Sequence, residues 1–119
     1  MSDKRLLLLK VFLAELEDLQ IDLEDLKVGL KARRGLSEIT EYVYLENTAL
    51  IQNELNSLKT LVKDIQTSHL DENKTYEVLL ESLKSLLKEE TRAYQFPGVV
   101  LALTERKLEK VVKYINQEF

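Results

Sequence analysis

The chain contains no cysteine, one histidine, one proline and three glycines in 119 residues, and each scarcity excludes something. Without cysteine there are no disulfides, thiolate metal sites or cysteine nucleophiles, and the cytosol is the default compartment. With so little glycine and proline the fold must use few, long elements, because an all-β design needs a turn about every 8–12 residues. Neither Gly-x-Gly-x-x-Gly nor a P-loop occurs, so the glycine-rich routes to nucleotide binding are closed. A Gly-x-Ser-x-Gly elbow is missing, and no second histidine can serve as a base beside His69. No window is long and apolar enough to span a bilayer. The formal charge of −4 argues against a general nucleic-acid binder, whose affinity would come from neutralising phosphates with clustered lysine and arginine.

What remains is apolar periodicity on a highly charged chain. The length suits one domain, residues 1–119, with one core. In the first segment Leu9, Phe12, Leu16, Leu19, Leu23, Leu26 and Leu30 alternate steps of three and four, the seam of a heptad helix. Ser2 is the expected N-cap, and Lys31, Arg33 and Arg34 crowd the other end before Gly35, where cations suit the helix dipole. The opening "KRLLLLKVFLAEL" resembles a secretion signal in setting cations before an apolar run. Lys10 interrupts it, and "AELEDL" follows where small residues should permit cleavage, so it is read as helix.

Ser37 is the expected cap of a second helix whose seam runs through Ile39, Val43, Ile51, Leu55, Leu58, Val62 and Ile65. After the polar connection "TSHLDENKT", Asp71 or Asn73 is expected to cap a third helix, with Tyr76, Leu80, Leu83, Leu87 and Tyr94 facing inward. A fourth begins at Pro97 and turns Leu101, Leu108, Val111 or Val112, and Ile115 inward. "YQFPG" then reads as a hairpin turn, with a bend in one long helix as the rival, because proline holds Phe96 out of the helical region. The expected fold is all-α, an antiparallel up-and-down four-helix bundle. Its first two helices are longer than the last two, so part of the long pair should protrude.

Chemistry is sparse. His69 lies in the polar connection, and Gln66 stands three residues before it where a di-metal bundle would carry glutamate, so it reads as a solvated loop residue. No catalytic residue, metal or cofactor is expected. Glu15, Asp18, Asp22 and Asp25 form an acidic stripe on the first helix, and Arg106, Lys110 and Lys113 a basic one on the fourth. First and last helices are neighbours in such a bundle, so the two stripes are expected to face each other. Tyr42 and Tyr44 stand about 200° apart around a helix, so one of them must face outward.

Two apolar features exceed the needs of a single seam. At the start of the first helix Leu7, Leu8 and Val11 belong either to a deeply covered core or to a dimer contact. Around the proline turn Tyr94, Phe96 and Val99 are candidate anchors, because aromatic residues in pockets carry much of an interface's binding energy. The resulting expectation is a non-catalytic interaction module: an adaptor, small chaperone or regulatory subunit. Its partners would be a second copy, as a homodimer, and another protein, with neither nucleic acid nor membrane involved.

In length and helical architecture the chain is similar to the HEPN and HepT-like bundles that accompany nucleotidyltransferases or act as toxin ribonucleases. Those ribonucleases carry an arginine followed within a handful of residues by a histidine, whereas the nearest arginine before His69 is Arg34. The resemblance is one of shape alone. It implies, as an alternative, a toxin-antitoxin or nucleotidyltransferase partner subunit without ribonuclease activity.

Overall fold

A computed structural model describes residues 3–118. It contains α1 (Lys4–Gly35), α2 (Glu41–Thr67), α3 (Tyr76–Tyr94) and α4 (Gly98–Glu118), with one turn of 3₁₀ helix at Leu70–Glu72. Each helix packs against the next, and α1 also packs along α4, which closes an antiparallel up-and-down four-helix bundle. The rival reading of "YQFPG" as a bend is excluded. Leu80 and Val112 share one groove with Lys88 and Glu105, so α3 and α4 run in opposite directions.

Helix starts follow cap chemistry, at residues other than those the sequence suggested. Ser2 lies outside the described residues, and Asp3 caps α1 by accepting from the Arg5 N–H at 3.0 Å. Ser37 does not cap α2. It adopts a left-handed conformation with φ 59°, whereas an N-cap needs extended backbone, and Thr40 supplies that with its hydroxyl 3.1 Å from the Val43 N–H. Asp71 and Asn73 are likewise displaced by Thr75, which accepts from the Val78 N–H at 3.1 Å. Asp71 sits in the 3₁₀ turn, and the Asn73 side chain donates to the Leu70 carbonyl at 2.7 Å. That turn buries Leu70 within the polar connection.

Gln95 ends α3 in the left-handed region, φ 54°, with its N–H donating to the Thr91 carbonyl. A β-carbon there is strained, and glycine relieves it. Gln95→Gly is therefore expected to stabilise the protein by about 0.5–1 kcal/mol, read as a higher urea midpoint at unchanged slope.

The core is aliphatic, with Phe12 its largest fully buried side chain. Leu8, Phe12, Leu16, Leu19 and Leu23 come from α1, and Leu55, Leu58, Leu61 and Ile65 from α2. From α3 come Leu79, Leu83 and Leu87, and from α4 Val100, Leu108, Val111 and Ile115. The inner face of α3 thus runs through Leu79, with Tyr76 and Leu80 half-buried on its flank and Tyr94 exposed. On α4 it runs through Val100 and Thr104, while Leu101 is half-buried beside them. Thr104 is fully buried, and its hydroxyl donates back to the Val100 and Leu101 carbonyls at 2.9 and 3.1 Å, which removes the cost of an unpaired polar group.

One end of the bundle is uneven. Helices of 32 and 27 residues are paired with helices of 19 and 21, and the longest dimension, 55 Å, far exceeds the ~30 Å that a 20-residue helix spans.

Candidate interaction surface at the stepped end

Cross-helix contacts fix the levels at which the helices stand. Near the start of α1 the Lys4 ammonium lies 4.4 Å from the centre of the Tyr76 ring, and Arg5 donates to the Asn73 carbonyl. Higher up, Glu15 pairs with Lys107 and Lys110 of α4 at 3.3 and 3.6 Å, and Lys27 donates to Gln52 of α2 at 2.7 Å. Counting from these points, α3 ends and α4 begins beside roughly residues 22–25 of α1, at ~1.5 Å per residue. Beyond that level only α1 and the first half of α2 continue, as a two-helix arm about 15–20 Å long. The α3–α4 turn forms the floor of a step, and the arm forms its wall.

Polar clasps hold the arm together. Arg34 stacks 3.8 Å from the centre of the Tyr44 ring and pairs with Glu41 at 3.4 Å, and Arg33 pairs with Glu38 at 3.5 Å. Such exposed contacts contribute at most about 1 kcal/mol each. Tyr44 is half-buried, so Tyr42 is the outward tyrosine, 74% exposed.

Apolar exposure concentrates at this end. Leu26 continues the seam of Leu19 and Leu23, which are 7% and 6% exposed, yet it is itself 57% exposed because no α3 or α4 reaches it. On α2, Leu50 (57%) and Val43 (38%) lie seven and fourteen residues before buried Ser57, on the same face. At the tip Leu36 is as bare as Tyr42. On the floor Tyr94 and Val99 are exposed, and the Tyr94 ring stacks on half-buried Phe96 with centroids 5.5 Å apart.

The structure divides the six sequence-derived interface residues. Tyr94, Phe96 and Val99 sit together on the floor. Leu7, Leu8 and Val11 lie far down α1, with Leu8 fully buried and Leu7 and Val11 half-buried against the core. Sequence reasoning missed Leu26, Leu36 and Leu50 as surface, although the unequal helix lengths pointed to a protrusion, and it had Tyr42 only as one of two tyrosines of which one must face outward. The charge stripes meet in part: Glu15 and Lys110 pair as expected, Lys107 joins them, and Asp18, Asp22 and Asp25 make no ion pair among the described residues.

Elsewhere little converges. His69 is exposed and 3.9 Å from Glu72, and no group of three or more acids and histidines among the described residues is set to hold a metal. Among the same residues no helix is long and apolar enough to cross a membrane. A groove of about 420 Å³ between α3 and α4 has Leu80, Leu108 and Val112 as its floor, under lysines and glutamates of mixed sign. No family model, curated protein or solved structure matches the chain.

Proposed function

We propose that the chain is a non-catalytic interaction module of the cytosol, serving as an adaptor, small chaperone or regulatory subunit. It works by burying its stepped end against protein, a second copy included. The observation that carries this reading is the concentration of exposed apolar side chains on one uncapped end, which combines the wall (Leu26, Val43, Leu50), the tip (Leu36, Tyr42) and the floor (Tyr94, Val99). Large exposed apolar surface of this kind supports an interaction site, and aromatic residues such as Tyr42 and Tyr94 are of the type that dominates binding energy. Neither nucleic acid nor membrane belongs to this reading.

The test is a full-length Tyr42→Lys, Leu50→Lys variant. Both positions are exposed, so the thermal midpoint should stay within a few degrees of the native value. Complexes formed by the native protein, measured by sedimentation velocity, should be weakened at least tenfold. Retention of every association by the variant, or turnover of nucleotides or RNA by the purified native protein, would replace this reading.

A further inference from the structure

Resting on that reading, we propose that the occupant of the step is a second copy of this chain, turned end over end so that each arm lies along the other's wall with its tip on the other's floor. A stepped end is complementary to itself when inverted. The partner's α1 and α2 then take the place that α3 and α4 vacate, and the four-helix cross-section continues through the junction. Placing one arm tip at the other's floor sets Leu36 and Tyr42 of one copy opposite Tyr94, Phe96 and Val99 of the other. Leu26, Val43 and Leu50 of both copies then become core between the arms. A lone helix from another protein would cover the wall and leave Leu36 and Tyr42 bare.

Area and charge agree with a second copy. Summed over wall, tip and floor, the exposed apolar side chains offer roughly 800 Å² per copy, close to what one partner contributes to an interface of standard size. Charge on α1 is segregated along its length. Residues 15–25 include Glu15, Glu17, Asp18, Asp22, Glu24 and Asp25 and no cation, whereas residues 27–34 include Lys27, Lys31, Arg33 and Arg34 and no acid. The helix dipole accounts only for the terminal arginines, since its influence fades within a turn of the end. Lys27, Arg33 and Arg34 already pair with Glu24, Glu38 and Glu41 within the chain, so in the inverted arrangement it is Lys31, without an ion pair among the described residues, that arrives beside the equally unpaired Asp22 and Asp25 at the foot of the other arm. Complementary patches of this kind fix register and orientation.

Because the chain has no cysteine, the contact can be tested by a directed crosslink. Tyr42→Cys and Val99→Cys are made as separate full-length variants, mixed and mildly oxidised. Within one chain tip and floor are separated by about the arm's length, well beyond the roughly 4.4–6.8 Å between Cα atoms that a disulfide requires. The mixture should yield a disulfide-linked dimer joining the two unlike variants. As a measurement on otherwise intact surface, Leu26→Asp should raise the dimer dissociation constant at least tenfold while the far-ultraviolet circular dichroism stays native. A dimer that forms without this crosslink and ignores Leu26→Asp overturns the interlocked arrangement and leaves self-association by another face. A native protein that stays monomeric over a hundredfold concentration range, yet binds a different protein through the arm, overturns the second copy and keeps the interaction module. Loss of all arm-dependent association removes both.

Discussion

Phe12→Ala is expected to lower the free energy of unfolding by about 3–5 kcal/mol, the range for truncating a buried aromatic whose cavity cannot collapse. Phe12 is fully buried, flanked along α1 by the equally buried Leu8 and Leu16. Domains of this size are stable by only about 5–15 kcal/mol, so the loss is a large fraction of the total. Urea unfolding followed by far-ultraviolet circular dichroism reads it as a fall in midpoint at constant slope. Leu8→Ala, measured in the same way, discriminates between the two readings of the apolar start of α1. A core residue costs stability and leaves association at saturating folded protein untouched. An unchanged midpoint together with lost association would instead make this end an interface.

The contrast between Phe12 and Leu26 shows what periodicity can and cannot report. Both residues stand on the same heptad seam, and nothing in the seam itself separates them. A repeat states which face of a helix is apolar; what covers that face depends on where other helices stop. Here α3 stops at Tyr94 and α4 starts at Gly98, so the seam is buried from Phe12 to Leu23 and exposed at Leu26, with Leu30 half-buried beyond it. The number of helices, their order and the unequal lengths were legible because glycine, proline and polar runs punctuate the chain. Cap identities were not, since "SEIT" offers both Ser37 and Thr40, and the choice falls to the backbone conformation between the helices. The α3 face was ambiguous for a different reason. Leu79 and Leu80 are adjacent leucines, and a rotation of about 100° per residue lets the neighbouring helices decide which of them points inward.

The candidate surface was half legible. Tyr94, Phe96 and Val99 announced themselves as an apolar cluster beside the only proline. The wall did not, because Leu26 and Leu50 lie in runs indistinguishable from core. Likewise Glu15 and Lys110 could be matched as opposite stripes, but Lys107 lies off the stripe of Arg106, Lys110 and Lys113, and it is the half-buried Lys107 that stands closer to Glu15, at 3.3 Å against 3.6 Å.

Glu90→Gln is expected to stabilise the protein by about 1–2 kcal/mol at pH 8 and to leave stability at pH 4 nearly unchanged. Glu90 on α3 lies against Asp64 of α2 and is half-buried, and its Oε2 has no hydrogen-bond partner. Burial first, and then the hydrogen bond and negative charge of Asp64, push its carboxyl up from 4.5 to about 7. Farther along the same open face of α3 stand Glu77, Glu81 and Glu89, which add no cation. The sign follows from linkage. A raised folded-state value means that the folded protein holds a proton which the unfolded chain releases at lower pH, so folding is favoured most below about 4.5. That contribution fades as pH rises toward about 7, above which the charged pair bears its full repulsion and desolvation. Glutamine keeps a donor for Asp64 and never acquires the charge, so the variant should lose the decline between pH 4.5 and about 7. Urea midpoints taken at pH 4, 6 and 8 decide the matter. Parallel profiles for the native and variant proteins would mean that Glu90 is ionised and solvated in the folded state, with water separating it from Asp64 where α2 and α3 meet.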